Sequence, residues 1–171
     1  MNALISVWDK TGIEKFARDL ISLNIKIFST GGTKKYLEDN GIMVHGIEEI
    51  TGFQELLGGR VKTLHPKIFA GILAREDQMD ELLKMGIEPI DIVVVNLYPF
   101  EKTEKELEKL VEMVDIGGVS LLRAGAKNFQ RVTVLSDPQD FQTVTDEIRN
   151  FGNTTRSEER RVGKECRSRW S

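Results

Sequence analysis

Two hydrophobic patterns alternate along the chain. Apolar runs of strand length occur at "ALISVW" (3–8), "IKIF" (25–28), "IMVHGI" (42–47), "IDIVVVNLY" (90–98) and "RVTVLS" (131–136). Between the first two, apolar residues fall at Ile13, Phe16, Ala17, Leu20 and Ile21, the three-and-four spacing that gives a helix one buried face. Further helices are expected in "KKYLEDN", stopping at Gly41, in "EDQMDELLKMG", stopping at Gly86, and in "GGVSLLRAGAKN" (117–128). The stretch "DPQDFQTVTDEIRNF" adds another, with Pro138 in its first turn, a position where the missing N–H costs nothing. Asp9 or Thr11 is the expected N-cap of the first helix. "EKTEKELEKLVEMV" (101–114) mixes charges at helical spacing and reads as a solvated helix. "KIFAGILA" (67–74) fits a strand or a buried helix equally well, and 51–66 is rich in turn residues.

The run at 90–98 holds a continuous β-branched core, Ile92 to Val95, as expected of a strand covered on both faces. With helices following strands almost throughout, the pattern predicts an α/β domain with a mainly parallel sheet and helices on both sides. In such folds ligands bind in the crevice at the carboxyl ends of the strands. The polar clusters follow the expected strands: Trp8-Asp9-Lys10, Ser29-Thr30-Gly31-Gly32-Thr33, Asn96-Leu97-Tyr98-Pro99, and Asp115-Ile116-Gly117-Gly118 leading into a helix. A parallel sheet would gather them on one edge.

Composition narrows the picture. The chain has 171 residues, 40% of them hydrophobic, and a formal charge of -3, the profile of one domain with material for a core. No run approaches the roughly 20 apolar residues of a membrane span, and the acidic residue within "MNALISVWDK" does not suit a secretory signal, so a cytoplasmic protein is expected. Net negative charge disfavours nucleic acid as a partner. Residues 156–171, "RSEERRVGKECRSRWS", differ from the rest: six Arg or Lys, three Glu and the single cysteine, Cys166. They resemble the conceptual translation of a sequencing-adapter read, and are set apart from the domain expected over 1–155 as a non-native or disordered basic tail. Without the tail there is no thiol chemistry. His45 and His65 are too few and too separated for a metal site.

Several segments offer anion chemistry. "STGGT" between a strand and a helix can present backbone N–H groups and hydroxyls to a phosphate, although a capped turn explains it as well. Lys10 and Lys62 could add point charges and Arg60 a planar fork. "DIGG" could line an oxyanion hole, or be an Asp cap followed by glycine. Lys127 is a candidate acid/base if it reaches the cleft, and Tyr98 could donate a phenolic proton. His65, ahead of Pro66, reads as structural before catalytic.

Taken in order, "STGGT", "TGFQELLGGRVKTLHPKIFAGILAR", "NLYPF" and "DIGGVSLLRAGAKN" closely resemble the inosine monophosphate (IMP) cyclohydrolase domains of bifunctional purine-biosynthesis enzymes, from about residue 3 to about 155. The resemblance implies a three-layer α/β/α fold of the methylglyoxal-synthase-like type. It also implies ring closure of 5-formamidoimidazole-4-carboxamide ribotide to IMP with loss of water, needing neither cofactor nor metal. By the same resemblance, Lys62, Tyr98, Asp115 and Lys127 match the catalytic set. Lys10, Thr30, Gly31, Gly32 and Thr33 match the phosphate site; Arg60, Thr63, Asn96, Leu97, Ile116 and Gly117 match the rest of the nucleotide site. A homodimer is implied for the full-length protein.

The chain departs from the family in three ways. The formyltransferase domain that uses 10-formyltetrahydrofolate is missing, the last helices of the domain are replaced by the tail, and Trp8 stands where smaller residues are common. Two rivals share the fold: methylglyoxal synthase and the regulatory nucleotide-binding domain of carbamoyl-phosphate synthetase. The first would not need "RVKTLHP" or "DIGG", and the second would lose the four catalytic candidates.

Overall fold

A computed structural model describes residues 1–97, 110, 111 and 113–154; Tyr98, most of the 101–114 stretch and the tail from 155 onward lie outside the described residues. The five expected strands are present: β1 (Asn2–Val7), β2 (Lys26–Ser29), β3 (His45–Gly46), β4 (Ile92–Asn96) and β5 (Thr133–Leu135). They form one sheet in the order β3-β2-β1-β4-β5. Every pairing is parallel; Ala3 of β1, for example, lies between Ile27 of β2 and Ile92 of β4.

The side-chain alternation of a strand sends successive residues to opposite faces, and here both faces are covered. Ala3, Ile5 and Val7 of β1, with Ile92 and Val94 of β4, enter one core. Leu4, Val93 and Val95 enter the other. The first is closed by α1 (Ile13–Ser22), α2 (Gly31–Asp39) and α7 (Phe141–Phe151), with Phe16 stacked on Phe141 at 4.4 Å between ring centroids. Burying one such ring contributes roughly 1.5–3 kcal/mol. The second is closed by α4 (Pro66–Leu73) and α6 (Gly117–Lys127). Two short helices, α3 (Glu48–Thr51) and α5 (Met79–Lys84), complete the described set. The result is the three-layer arrangement expected.

The structure revises several local expectations. "KIFAGILA" is a helix: Pro66 takes its first turn, and His65 caps it by accepting from the Lys67 N–H at 3.2 Å through Nδ1. Neither Asp9 nor Thr11 caps α1, which opens instead behind Gly12 in the left-handed conformation. The Asp9 carboxylate folds back on the Thr11 N–H (2.9 Å) and hydroxyl (2.6 Å). The third strand is only two residues long, His45–Gly46, although Ile42 and Val44 ahead of it are buried in the first core.

Candidate functional site

The carboxyl ends of the parallel strands open into a cleft of about 470 Å³. Two helices point their N-termini into it from opposite faces of the sheet. α2 begins immediately after β2, at Gly31 rather than beyond a loop, with Thr30 as its extended N-cap residue. α6 begins at Gly117, preceded by Asp115 and Ile116. The first N–H groups of a helix have no partner within it and carry its positive partial charge. Lys10, Arg60 and Lys62 line the same cleft; Asp115 is the carboxylate among its lining residues, and Glu55, just outside that lining, pairs with Lys62. A net acidic protein thus places an excess of positive charge here, as an anionic ligand requires.

The hydroxyls of "STGGT" hold the fold together. Ser29 donates to the Ile5 carbonyl at 2.8 Å and is fully buried. Thr33 donates to the Val7 carbonyl (3.0 Å) and accepts from the Val7 N–H (3.2 Å). Thr30 shares a hydrogen bond with Ser6 at 2.9 Å. What this segment leaves for an anion is the backbone at the start of α2; Gly32 lines the cleft, as do the outer faces of Thr30 and Thr33. Lys10 sits against the end of β1, donating through Nζ to the Val7 carbonyl and, at 3.1 Å, to that of Trp8. Burial there lowers its pKa, partly opposed by Asp9.

The segment between α3 and α4 supplies the other wall. Leu56 and Val61 form an antiparallel bridge, with backbone bonds of 3.0 and 3.3 Å. The turn between them runs through three consecutive left-handed residues, Leu57, Gly58 and Gly59. That conformation disfavours a β-carbon. At Gly59 one would also lie 2.6 Å from Cε and 2.8 Å from Nζ of Lys62. The two glycines therefore serve the lysine: they turn the chain and leave room for its side chain. The Lys62 ammonium ends 3.2 Å from where a Gly31 β-carbon would stand, at the mouth of α2. Thr63, buried, reaches the opposite side, its Oγ1 2.6 Å from where a Gly117 β-carbon would be. Two adjacent residues thus approach the two helix N-termini across the cleft.

Asp115 holds the mouth of α6. Its Oδ1 accepts from the Gly118 N–H at 2.7 Å, and a β-carbon at Gly118 would lie 2.3 Å from Oδ2. The cap reading of "DIGG" is therefore realised, and the carboxylate still faces the cleft. Ile116, exposed, and Gly117 border it.

Other candidates are placed differently. The Asn96 amide lines the cleft but is engaged in pinning the loop after β1: Oδ1 accepts from the N–H groups of Trp8 (2.6 Å) and Asp9 (2.9 Å), and Nδ2 donates to the Asp9 carbonyl (2.8 Å). Leu97 packs against the second core. Lys127 is exposed on the last residue of α6, about 15 Å along the helix axis from Gly117, so the structure does not bring it to Asp115. Tyr98 is outside the described residues. Sequence reasoning missed Glu55, whose carboxylate meets Lys62 Nζ at 3.2 Å. Its one signal is register: pairing Leu56 with Val61 sets residue 55 opposite residue 62. Among the described residues no His, Cys, Asp and Glu cluster could hold a metal ion, and no helix is long and apolar enough to cross a membrane.

Comparison with known proteins agrees with this geometry. The family model described as MGS-like domain matches residues 12–120. A protein of Persephonella marina named bifunctional purine biosynthesis protein PurH is 48% identical over 166 residues, covering 94% of this chain and 32% of that protein. The Aquifex aeolicus protein of the same name is 53% identical over 161 residues, covering 91% and 32%. The chain therefore spans about a third of the length of these curated relatives. The crystal structure of ForH superimposes with a TM-score of 0.82 at 40% identity, over 89% of this chain and 81% of that one. Family model, relatives and solved structure agree with the doubly covered parallel sheet: this chain belongs to the MGS-like domain family.

Proposed function

We propose that this chain is an IMP cyclohydrolase domain, closing the pyrimidine ring of 5-formamidoimidazole-4-carboxamide ribotide in the cytoplasm. The observation that carries the reading is the Lys62–Thr63 segment, which spans two helix N-termini in a cation-lined cleft. PurH relatives near 50% identity support it.

The reaction needs one end of a ligand anchored and the other polarised. A ribotide phosphate suits the mouth of α2 with Lys10 and Lys62. The base then extends toward α6. Ring closure joins the carboxamide nitrogen to the formyl carbon. That nitrogen loses one proton, the formyl oxygen gains one, and the resulting hydroxyl leaves as water while the formamido N–H proton departs. One C–N bond forms and one C–O bond breaks, with proton transfers and no change of oxidation state, so the reading requires no cofactor. Asp115, which lines the cleft, is the carboxylate that could take the nitrogen's proton. The backbone at Ile116 and Gly117 can stabilise the oxyanion; a catalytic part for Lys62, whose ammonium stands at the mouth of α2, rests on the resemblance. Tyr98 and Lys127 remain in the proposal as partners on the strength of the resemblance alone. Since the reaction is intramolecular, holding the two groups in attacking geometry supplies much of the acceleration.

The test is ring closure by the purified chain, and by a version extended with a relative's downstream residues, followed by the absorbance of IMP. Turnover that falls at least a hundred-fold in Lys62→Ala is expected, in line with losing an electrostatic stabiliser. A fully active Lys62→Ala variant, or turnover of dihydroxyacetone phosphate to methylglyoxal in place of ring closure, would overturn the reading.

A further inference from the structure

Lys62, which lines the cleft, pairs with Glu55 beside the helix mouth where the ligand's phosphate is expected. The bridge between Leu56 and Val61 fixes the register that puts the two side chains opposite each other, and the ion pair closes at 3.2 Å. Glu55 Oε2 also lies 3.5 Å from where a Gly31 β-carbon would stand, beside the same helix mouth that the lysine approaches. A carboxylate therefore already occupies the meeting point of a cation and a helix N-terminus. Half of the Glu55 side chain is solvent-exposed, so it can leave without disturbing the core.

We propose that Glu55 is the resident counter-anion of the cleft, which holds Lys62 at the mouth of α2 and is exchanged for the phosphate of the incoming nucleotide. The inference rests on the reading of the cleft as a nucleotide monophosphate site. The physics is a competition: a phosphate dianion and a carboxylate cannot share one ammonium and one helix terminus without like-charge repulsion. Binding must turn Glu55 outward, and the apparent affinity is lowered by what that pair contributed in the empty cleft. Glu55 thereby acts as a positioning residue in the unliganded protein and as a brake on anion binding.

Calorimetric titration of the whole chain with IMP, ribose 5-phosphate and inosine separates the possibilities. Glu55→Gln keeps the shape and removes the charge; it should tighten IMP and ribose 5-phosphate about five-fold, the scale of a partly exposed ion pair. Glu55→Asp, which keeps the charge, should stay within about two-fold of the parent. Inosine, without a phosphate, should respond to neither change. Unchanged or weaker IMP and ribose 5-phosphate binding by Glu55→Gln overturns the proposal, as does an equal gain for inosine. If IMP does not bind the parent chain yet ribose 5-phosphate tightens in the variant, the counter-anion role stands and the nucleotide reading falls.

Discussion

Arg131 is the side chain whose removal should cost this domain most for its size. Its guanidinium donates from Nε to the Ala74 carbonyl at 2.8 Å, and from Nη2 to those of Gly71 (2.5 Å) and Ile72 (3.0 Å). These are carbonyls at the end of α4 that the helix itself cannot satisfy. Nη1 meets Asp91 Oδ1 at 2.9 Å, and the other oxygen of that carboxylate accepts from the Asn2 N–H at 2.8 Å. The two charged side chains are only 11% and 17% exposed, and burial lowers the arginine's pKa against the pull of Asp91. Arg131→Met keeps much of the stem and leaves Asp91 without its cation. Breaking a buried pair from one side costs about 3–5 kcal/mol. The lower end applies here, because Asn128 also donates to Ile72 and Ala74, each at 2.8 Å. A loss of about 3 kcal/mol should lower the melting temperature by about 6–12 °C. Thermal and urea melts of Arg131→Met, Asp91→Asn and the double variant form the assay. The double variant should lose less than the sum of the singles, since neutralising Asp91 relieves the charge stranded by Arg131→Met. A loss under about 1 kcal/mol, or strictly additive variants, would refute the reasoning.

Two further predictions concern the cleft and the loop after β1. Asp115→Asn keeps an oxygen for the Gly118 N–H and loses the base, so ring closure should collapse while the melting curve barely moves; Asp115→Ala should in addition lose about 1 kcal/mol of capping. An active Asp115→Asn enzyme would remove the carboxylate from the mechanism. Asp9 is held below its ordinary pKa first by the Thr11 hydroxyl and then by the Thr11 N–H. A depressed folded pKa means its stabilising contribution is present above the unfolded pKa and lost as pH falls through the folded one. Thr11→Ala should therefore move the Asp9 midpoint upward and narrow that acid-side window, as followed by carboxyl-carbon NMR titration; an unmoved midpoint would show that the hydroxyl contributes nothing.

The fold was legible because both of its periods are written plainly. Val93 to Val95 must be covered on both sides, and Phe16, Ala17 and Leu20 must share a helix face. The site was legible as residue types but not as partners. "STGGT" displays three hydroxyls, yet nothing local reveals that Ser29 and Thr33 face β1 from neighbouring elements. The Asn96 amide is likewise engaged by residues some 87 positions away. Lys127 shows the opposite case: ten residues along one helix is a distance that the sequence already states. Glu55 stayed hidden because its importance depends on a bridge formed by a turn of three left-handed residues, one of them a leucine.

The strand order carries a last consequence. From the central β1 the chain steps outward through β2 to β3, and on the other side of β1 through β4 to β5, so α2 and α6 reach the same cleft from different halves of the chain. If the proposed division of the cleft holds, grip on a phosphate and chemistry on the distal group are carried by separate halves of the chain. Selection could then rework the α6 mouth for a new reaction while the α2 mouth, as proposed, kept a hold on a phosphorylated small molecule. A family built on this plan can diversify in what it catalyses without ever relearning how to hold its substrate.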